Sequence, residues 1–409
     1  MPYKYFMPPE WAPHEMTLMT WPDNRETWPG DRLNRAEHVY ADILEALTPH
    51  EKVLVMVAND DAQQAAASMI QNRNIDWKRV RLVRMPTNDV WVRDYGPITL
   101  IRETITQKLD QVKNRMDSGP VIDPGSGHSP HHDPEYVPGS GLTPDSGRPP
   151  DSERTSNSDT GLKEPVMCNW GYNAWGGKYP PYDSDNAVPE KLAELFDYPL
   201  VVPGMILEGG SIDVNGNGFL LTTESVLLNP NRNPEMSRFQ IEKNLRKYLG
   251  VENIIWLKNG LKGDDTDGHI DDLARFVAPR TIITSVSEDP ADPNYEILRE
   301  NREILTNATD CKGMPFKIFD LPLPATRIND TTVDGSEYVP ASYANFYIAN
   351  GCVLVPLYDY RYDSQVLAIF RKLFPDRQIK GIPCKDLVWG QGSIHCITQQ
   401  VPKIGISGS

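Results

Sequence analysis

The stretch FLLTTESVLLNPNRNPEMSRFQIEKNLRKYLGVENIIWL, residues 219–257, decides the fold. Its two ends, 219–228 and 253–257, are predominantly apolar runs of strand length. Between them, residues 234–250 place apolar side chains at a helical period, with a proline at the start and a glycine at the end. The stretch therefore predicts a β-strand, an amphipathic α-helix and a second β-strand.

The same pattern recurs along the chain. Further copies occupy residues 52–85, 280–322 and 347–384, and a weaker copy at 189–203 lacks a clear first strand. Five such units favour a repeat α/β architecture, with several modules around a common axis, over a single doubly wound sheet. In such an arrangement, the loops that follow the second strands meet at one centre.

Residues 117–159 differ in composition from the rest of the chain. They are rich in Pro, Gly, Ser and Asp and contain almost no apolar side chains that could be buried. We interpret them as a disordered surface insertion within a single domain that spans 1–409. The segment contains His128, His131 and His132, but these lack partners at a fixed spacing, and no metal site is predicted.

Composition limits the class of protein. The chain has 409 residues, of which 39% are hydrophobic, and it shows neither a signal-like N-terminus nor a long apolar span, so a soluble cytoplasmic protein that does not bind a membrane is expected. Its 5 cysteines form no CxxC pair, which argues against a disulfide framework and a zinc site. A net charge of −15 disfavours nucleic acid and favours a cationic ligand. Assembly into a homo-oligomer is left open.

The chemically capable residues lie in the loops after the predicted second strands. The run GQGSIHCITQQ, residues 390–400, resembles a strand and places His395 beside Cys396. Adjacent side chains of a strand point to opposite faces, so a nucleophilic Cys396 needs a base from elsewhere. His269 is the candidate base. Each such residue also has a purely structural interpretation, but their recurrence at equivalent module ends favours a common site.

Three carboxylates occupy corresponding positions. Asp94 follows the 52–85 unit, Glu208 follows the weak unit, and Asp271 lies beside His269 after the 219–257 unit. Taken singly, each is readily explained as an ion-pair, hairpin or helix-capping residue. Together with Cys396 and His269, they form the candidate site.

Several motifs resemble one known family. They are RDYGP (93–97), NWGYNAWGGKYPPYDSD (169–185), LEGGSIDV (207–214), LLNPNRNP (227–234), DTDGHIDDLARF (265–276), ASYANFYIANG (341–351) and GSIHCITQQ (392–400). In combination they resemble the agmatine deiminases and the related bacterial arginine-deiminase-type proteins of the guanidine-modifying superfamily. The resemblance implies a five-bladed α/β propeller, the pentein fold. Many agmatine deiminases have GGGNIHC where this chain has GQGSIHC.

The resemblance also implies residue roles. The nucleophile falls on Cys396 and the general acid/base on His269, paired with the carboxylate of Glu208. The carboxylates that hold the guanidinium fall on Asp94 and Asp271. A tryptophan bordering the substrate channel falls on Trp91.

The implied reaction is hydrolysis of agmatine to N-carbamoylputrescine and ammonia through a covalent thiouronium intermediate, with no metal or organic cofactor. Asp265, with Asp264 and Asp267, is expected to attract the distal ammonium of agmatine. The alternatives are a deiminase of free or peptidyl arginine, an amidinotransferase and a non-catalytic propeller that binds a cationic ligand. Retention of the thiol argues against the last of these, because a pure binder needs only the carboxylates.

Overall fold

The computed structural model describes residues 3–105, 162–326, 332 and 335–404. The proposed insertion at 117–159 lies outside these residues. The strands are β1 Tyr3–Phe6, β2 His14–Thr20, β3 Lys52–Val57, β4 Val80–Arg84, β5 Ile98–Thr104, β6 Lys163–Cys168, β7 Leu200–Val201, β8 Asp213–Val214, β9 Phe219–Thr223, β10 Asn253–Leu257, β11 Ala274–Ala278, β12 Thr281–Val286, β13 Lys317–Pro322, β14 Tyr347–Ile348, β15 Cys352–Leu357, β16 Gln378–Pro383 and β17 Gln399–Pro402.

Helices connect many of these strands. They are α1 Arg32–Leu47, α2 Asp60–Asn72, α3 Val92–Tyr95, α4 Ala174–Gly177, α5 Asp183–Asn186, α6 Val188–Phe196, α7 Glu224–Leu227, α8 Arg238–Leu249, α9 Tyr295–Asn307 and α10 Asp363–Leu373. Short 3₁₀ turns occur at Gly209–Ser211, Ile270–Asp272 and Val388–Gly390. Within the described residues, no helix has both the length and the apolar composition needed to cross a membrane.

The described strands form five separate sheets, which define a mixed α/β fold. Their strand orders are β1-β5-β6-β7, β17-β2-β3-β4, β10-β9-β8, β11-β12-β13 and β14-β15-β16. Each sheet contains two parallel strands that are joined in the chain by a helix. These units are β6–α6–β7, β2–α1–β3, β9–α8–β10, β12–α9–β13 and β15–α10–β16. An antiparallel strand lies on the other side of each pair, which makes the modules equivalent.

The 219–257 unit forms the predicted module with one adjustment. Helix α8 begins at Arg238, four residues after the proline, because Ser237 and Gln240 form a reciprocal capping box there. The helix ends at Leu249 and is capped by Gly250, whose φ of 69° lies in the left-handed region that glycine adopts most readily. The parallel register then pairs Asn253 with Phe219.

The weak unit at 189–203 has the first strand that the sequence did not reveal. Strand β6 occupies Lys163–Cys168, directly after the proposed insertion, and pairs in parallel with the two-residue β7. It is followed by the motif 169–185 before α6 begins, so strand and helix are unusually far apart in the chain. That separation concealed the module.

The 52–85 unit is a strand–helix–strand unit, but it is not the module equivalent to the other four. Strand β3 also pairs in parallel with β2, and β2–α1–β3 with the antiparallel β17 repeats the common arrangement. Strand β4 is an addition at the outer edge of this sheet. The prediction missed β2 and α1, although one face of α1 is buried in a large core that includes Trp21, Trp28 and Tyr40.

Candidate active site

Loops from four of the five modules line one cavity of about 630 Å³. Trp91, Asp94, Asp265 and Cys396 are among the residues that line it. Asp94, Asp265 and Cys396, from three different module ends, thus lie at one cavity. No residue was predicted in the loop after β13, but this loop places Asn345 next to Cys396.

Cys396 lies in a buried turn and not in a strand, since β17 begins only at Gln399. The strand prediction for 390–400 is thus wrong over most of that run. The reason is a local network in which the side-chain oxygen of Asn345 accepts the backbone N–H of His395 at 2.9 Å and of Cys396 at 3.4 Å. These bonds replace the ladder that a strand would form.

The Cys396 sulfur has two polar neighbours. The amide Nδ2 of Asn345 lies 3.1 Å from Sγ, and Asp271 Oδ2 lies 3.8 Å from it. Asn345 Nδ2 also donates to Asp272 Oδ1 at 3.0 Å, which fixes the orientation of the amide. Asn345 is therefore placed to donate a hydrogen bond to a thiolate. Its motif, ASYANFYIANG, is visible in the sequence, but no role was predicted for Asn345.

The electrostatic surroundings of Cys396 disfavour ionisation in the empty site. Burial, followed by the negative charges of Asp271, Asp272 and Asp94, raises the pKa of the thiol well above its usual value. A bound guanidinium would place a positive charge beside the sulfur and oppose this effect. The thiolate would then form mainly with substrate in place.

This thiol chemistry gives a first prediction. Iodoacetamide should alkylate Cys396 slowly in the free protein at pH 7, and the rate should rise steeply as the pH is increased toward 10, because the thiolate is the nucleophile. The measurement is peptide mass spectrometry in a Cys311→Ser background, since Cys311 is the exposed cysteine of the described residues. Buried Cys352 is an internal control. Fast alkylation that does not vary between pH 6 and 8 would instead show a preformed thiolate.

His269 is held by the loop that follows β10. Its backbone N–H lies 3.2 Å from Asp264 Oδ2 and 3.2 Å from Thr266 Oγ1, so these side chains close the turn. The ring Nδ1 lies 3.7 Å from Asp94 Oδ1. The other ring nitrogen, Nε2, is buried and has no hydrogen-bond partner among the residues that the structure describes.

The charge of His269 is set by its neighbours. Burial lowers its pKa, but the carboxylates of Asp94, Glu208, Asp271 and Asp264 outweigh burial and leave the pKa raised. The imidazolium is therefore favoured in the empty site. A protonated ring is the state required to give a proton to a leaving amine.

Gly210 marks where three of the predicted residues meet. A Cβ atom at this position would lie 2.6 Å from His269 Nδ1, 2.8 Å from Asp94 Oδ1 and 3.1 Å from Asp271 Oδ2. Only glycine leaves room for these groups to approach one another. The backbone N–H of Gly210 also donates to Asp94 Oδ1 at 2.9 Å.

Asp94 is fixed by a second donor, the indole N–H of Trp175, 3.0 Å from Oδ2. Trp175 has a φ of 54°, in the left-handed region that is costly for a non-glycine residue and is often seen at functional sites. Burial raises the pKa of Asp94 to about 6, although His269 opposes that shift. The carboxylate is thus mostly ionised at neutral pH and poorly solvated, which suits it to a cation.

Glu208 does not hydrogen-bond to His269 directly, in contrast to the predicted pair. Its Oε1 accepts from Arg232 Nε at 2.6 Å, while Oε2 is buried and unpartnered within the described part of the chain. The acid still contributes to the raised pKa of His269 through its charge. Arg232, from the LLNPNRNP motif, was missed by the sequence reasoning because an isolated arginine in a loop carries no distinctive signal.

Asp271 and His395 form a close pair. His395 Nδ1 lies 2.6 Å from Asp271 Oδ2, and Oδ1 of the same carboxylate has no partner among the described residues. His395 is therefore not bonded to the sulfur of its neighbour Cys396. The inference that Cys396 needs another base agrees with this geometry, although the strand on which it was based is absent.

Trp91, the tryptophan expected at the substrate channel, lines the cavity. It packs against Trp28, with ring centroids 5.8 Å apart, and a Cβ atom at Gly392 would come within 2.3 Å of its indole ring. Gln391, beside that glycine, has a φ of 74° and lies where many agmatine deiminases have glycine. Gln391 therefore adopts a left-handed backbone conformation although its side chain is larger than that of glycine, and it lines the cavity.

The expected ring of three acids near the substrate is only partly present. Asp265 lines the cavity and accepts from Tyr179 OH at 2.6 Å. Asp264 is used in the turn around His269, and Asp267 pairs with Lys178 and Arg232. The expectation for these two acids is corrected because they stabilise the loop and its neighbours.

Comparison with known proteins identifies the class. The family model for Porphyromonas-type peptidyl-arginine deiminase matches residues 6–118 and 151–402, and the gap lies inside the proposed insertion. A protein of Legionella pneumophila (strain Paris) named "Putative agmatine deiminase" is 34% identical over 403 residues, covering 98% of this chain and 96% of the relative. The chain belongs to this deiminase family, as its motifs predicted.

Solved structures agree with that membership. The agmatine deiminase of Enterococcus faecalis has a TM-score of 0.76 and 29% identity, covering 98% of this chain and 96% of that chain. A protein of Porphyromonas gingivalis described as "Putative Arginine Deiminase" has a TM-score of 0.74 and 32% identity, covering 98% and 99%. The mixed α/β fold is therefore similar to that of these two proteins.

Proposed function

We propose that this protein is an agmatine deiminase, a hydrolase that converts agmatine and water to N-carbamoylputrescine and ammonia. The observation that carries the proposal is the convergence of His269, Asp94 and Asp271 around Gly210, with Cys396 beside Asp271. A cysteine with an acid/base histidine and carboxylates on two sides suits attack on a guanidinium carbon. The names of the relatives agree with this activity.

The guanidinium is held by carboxylates on two sides. Asp94 and Asp271 accept its N–H groups, and Oδ1 of Asp271 is available because protein donors do not occupy it in the described structure. Glu208 Oε2 likewise has no partner among the described residues. Binding of the cation offsets the negative charge of these groups and favours ionisation of Cys396.

The chemistry then proceeds in two halves. The Cys396 thiolate forms a bond to the guanidinium carbon, and the imidazolium of His269 protonates the departing nitrogen, which leaves as ammonia. The resulting thiouronium is attacked by a water molecule that gives a proton to the neutral His269. Cleavage of the C–S bond releases N-carbamoylputrescine and regenerates the thiol group.

The cavity wall supports agmatine over arginine. Acidic side chains outnumber basic ones along it, with Asp23, Glu26, Asp89 and Asp265 against Arg25 and Lys178, whereas burial raises the pKa of Asp185 to about 8 and leaves that acid mostly neutral at pH 7. Lys178 is already paired with Asp267 at 2.8 Å. Such a wall attracts a distal ammonium and repels the carboxylate of arginine. Arginine is the second candidate substrate, because the basic side chains of Arg25 and Lys178 also line the cavity.

Substrate preference gives the test of this proposal. We expect kcat/KM for agmatine to exceed that for free arginine by at least about a hundredfold, roughly 2.7 kcal/mol of transition-state stabilisation. A benzoyl-arginine amide should also be poor, because its substituents add bulk to the unbranched chain that the channel receives. The measurement is ammonia and ureido-product formation from each compound under identical conditions. A capped arginine as the best substrate would overturn the agmatine assignment and leave the Cys396 chemistry standing.

The same assay separates the remaining alternatives. An amidinotransferase would need an amine acceptor and would release no ammonia, whereas a non-catalytic binder would yield no product from any compound. We further propose that the five sheets are the blades of a five-bladed α/β propeller around the cavity, within a single catalytic domain over 1–409. Each sheet is followed by a loop that reaches the site, which supports that arrangement. Cytoplasmic localisation stays a prediction.

A further inference from the structure

His395 links two buried carboxylates that lie far apart in the sequence. Its Nδ1 is 2.6 Å from Asp271 Oδ2, and its Nε2 is 2.8 Å from Glu10 Oε2. All three side chains are at least nine-tenths buried. A structural histidine of this kind has no role in the two-step chemistry described above, yet it touches the carboxylate that would hold the guanidinium.

The hydrogen-bond pattern shows what the ring can supply to each carboxylate. A neutral imidazole has one N–H donor and one acceptor nitrogen, whereas an ionised carboxylate can only accept. Burial alone would raise the pKa of Glu10 and of Asp271, but their cationic neighbours hold both pKa values below the usual range. An N–H on Nδ1 satisfies Asp271, and an N–H on Nε2 would satisfy Glu10.

Glu10 anchors the far side of the bridge. Its carboxylate lies 3.3 Å from Arg93 Nη2 and 3.0 Å from Arg275 Nη2, so it is held by two guanidinium groups as well as by His395. Arg275 is in turn paired with Asp213 at 3.0 Å. Removing one member of such a buried network is costly, and the ring is consequently fixed in position.

We infer that His395 is a positioning residue: it binds Oδ2 of Asp271 and so fixes that carboxylate with Oδ1 left for the substrate guanidinium. This inference rests on the proposed function, because it assigns the unpartnered oxygen to that ligand. Without the Nδ1 bond, Asp271 could rotate, and Cys396 would face an uncompensated negative charge 3.8 Å from its sulfur. The expected consequence is weaker guanidinium binding.

A matched pair of amide variants separates positioning from general stability. In His395→Asn the side-chain nitrogen can occupy the place of Nδ1 and keep the bond to Asp271, while the bond to Glu10 is lost. In His395→Gln the nitrogen can occupy the place of Nε2, so the bond to Glu10 is kept and that to Asp271 is lost. A purely structural role predicts similar effects of the two substitutions.

We expect His395→Gln to lower kcat/KM for agmatine about ten- to a hundredfold, mainly through KM, because a charge-assisted hydrogen bond is lost. His395→Asn should stay within about fivefold of the parent. Thermal unfolding of both variants checks that they are folded. Equal losses in the two variants, or a larger loss in His395→Asn, would overturn the inference.

A second readout does not need turnover. Guanidinium chloride should change the rate at which iodoacetamide alkylates Cys396 in the parent and in His395→Asn, and the change at the same concentration should be clearly smaller in His395→Gln. Absence of any change in the parent, or an equal change in the two variants, would also overturn the inference. Failure of the proposed function would give a different result, in which the parent protein binds guanidinium yet releases no ammonia from agmatine.

Discussion

Replacing Cys396 by serine is expected to lower kcat with agmatine by at least about 10⁴-fold, because loss of the nucleophile in covalent catalysis removes nearly all of the rate enhancement. A serine hydroxyl ionises far less readily than a thiol, and the carboxylates around this position disfavour an alkoxide further. The measurement is single-turnover ammonia release, in which the parent should also form a covalent adduct detectable by intact mass.

The control is Cys352→Ser, which changes another buried cysteine whose Sγ lies 3.6 Å from Ala46 O, in the core and away from the cavity. It should retain kcat within about threefold, since the substitution is small and keeps a hydrogen-bonding group. Agmatine should still bind to folded Cys396→Ser, because Asp94 and Asp271 are untouched. Residual turnover above about 1% of the parent in Cys396→Ser would argue against covalent catalysis by this thiol.

The repeated modules were visible in the sequence because their periodicity is local. Residues 219–257 contain a complete strand, helix and strand, and the hydrophobic pattern reports all three elements. The β2–α1–β3 module was missed because β3 also begins the more compact 52–85 unit, and nothing local shows which neighbour of β3 belongs to the repeat. Its third strand, β17, comes from the opposite end of the chain.

The site was predicted in part for the same reason. Cys396, His269, Asp94 and Asp271 are residue types with distinctive chemistry, and their position after successive modules brought them together in the prediction. Asn345 is a neutral amide in the fifth such loop, and Glu10 lies 385 positions from the histidine that it contacts. Pairings of that range are set by the closure of the whole fold, which local patterns do not report.

Replacing His269 by alanine should lower kcat by about 10³-fold, within the range typical of a general acid/base. The residue serves both halves of the proposed reaction, first as the acid for ammonia and then as the base for water. The burial and unpartnered state of its Nε2 in the described structure agree with a nitrogen reserved for those proton transfers. His395→Asn, which changes the other site histidine, is the matched comparison and should lose far less activity.

The His269→Ala variant also removes a positive charge from among Asp94, Glu208 and Asp271, which can destabilise the fold by leaving buried carboxylates unbalanced. Activity is therefore compared with the unfolding temperature, and His269→Gln serves as a less disruptive second variant that still lacks an acid/base group. Imidazole added to His269→Ala should restore part of the rate if the vacated space admits it. Retention of more than about a tenth of the parental kcat in both folded variants would show that another group moves the protons.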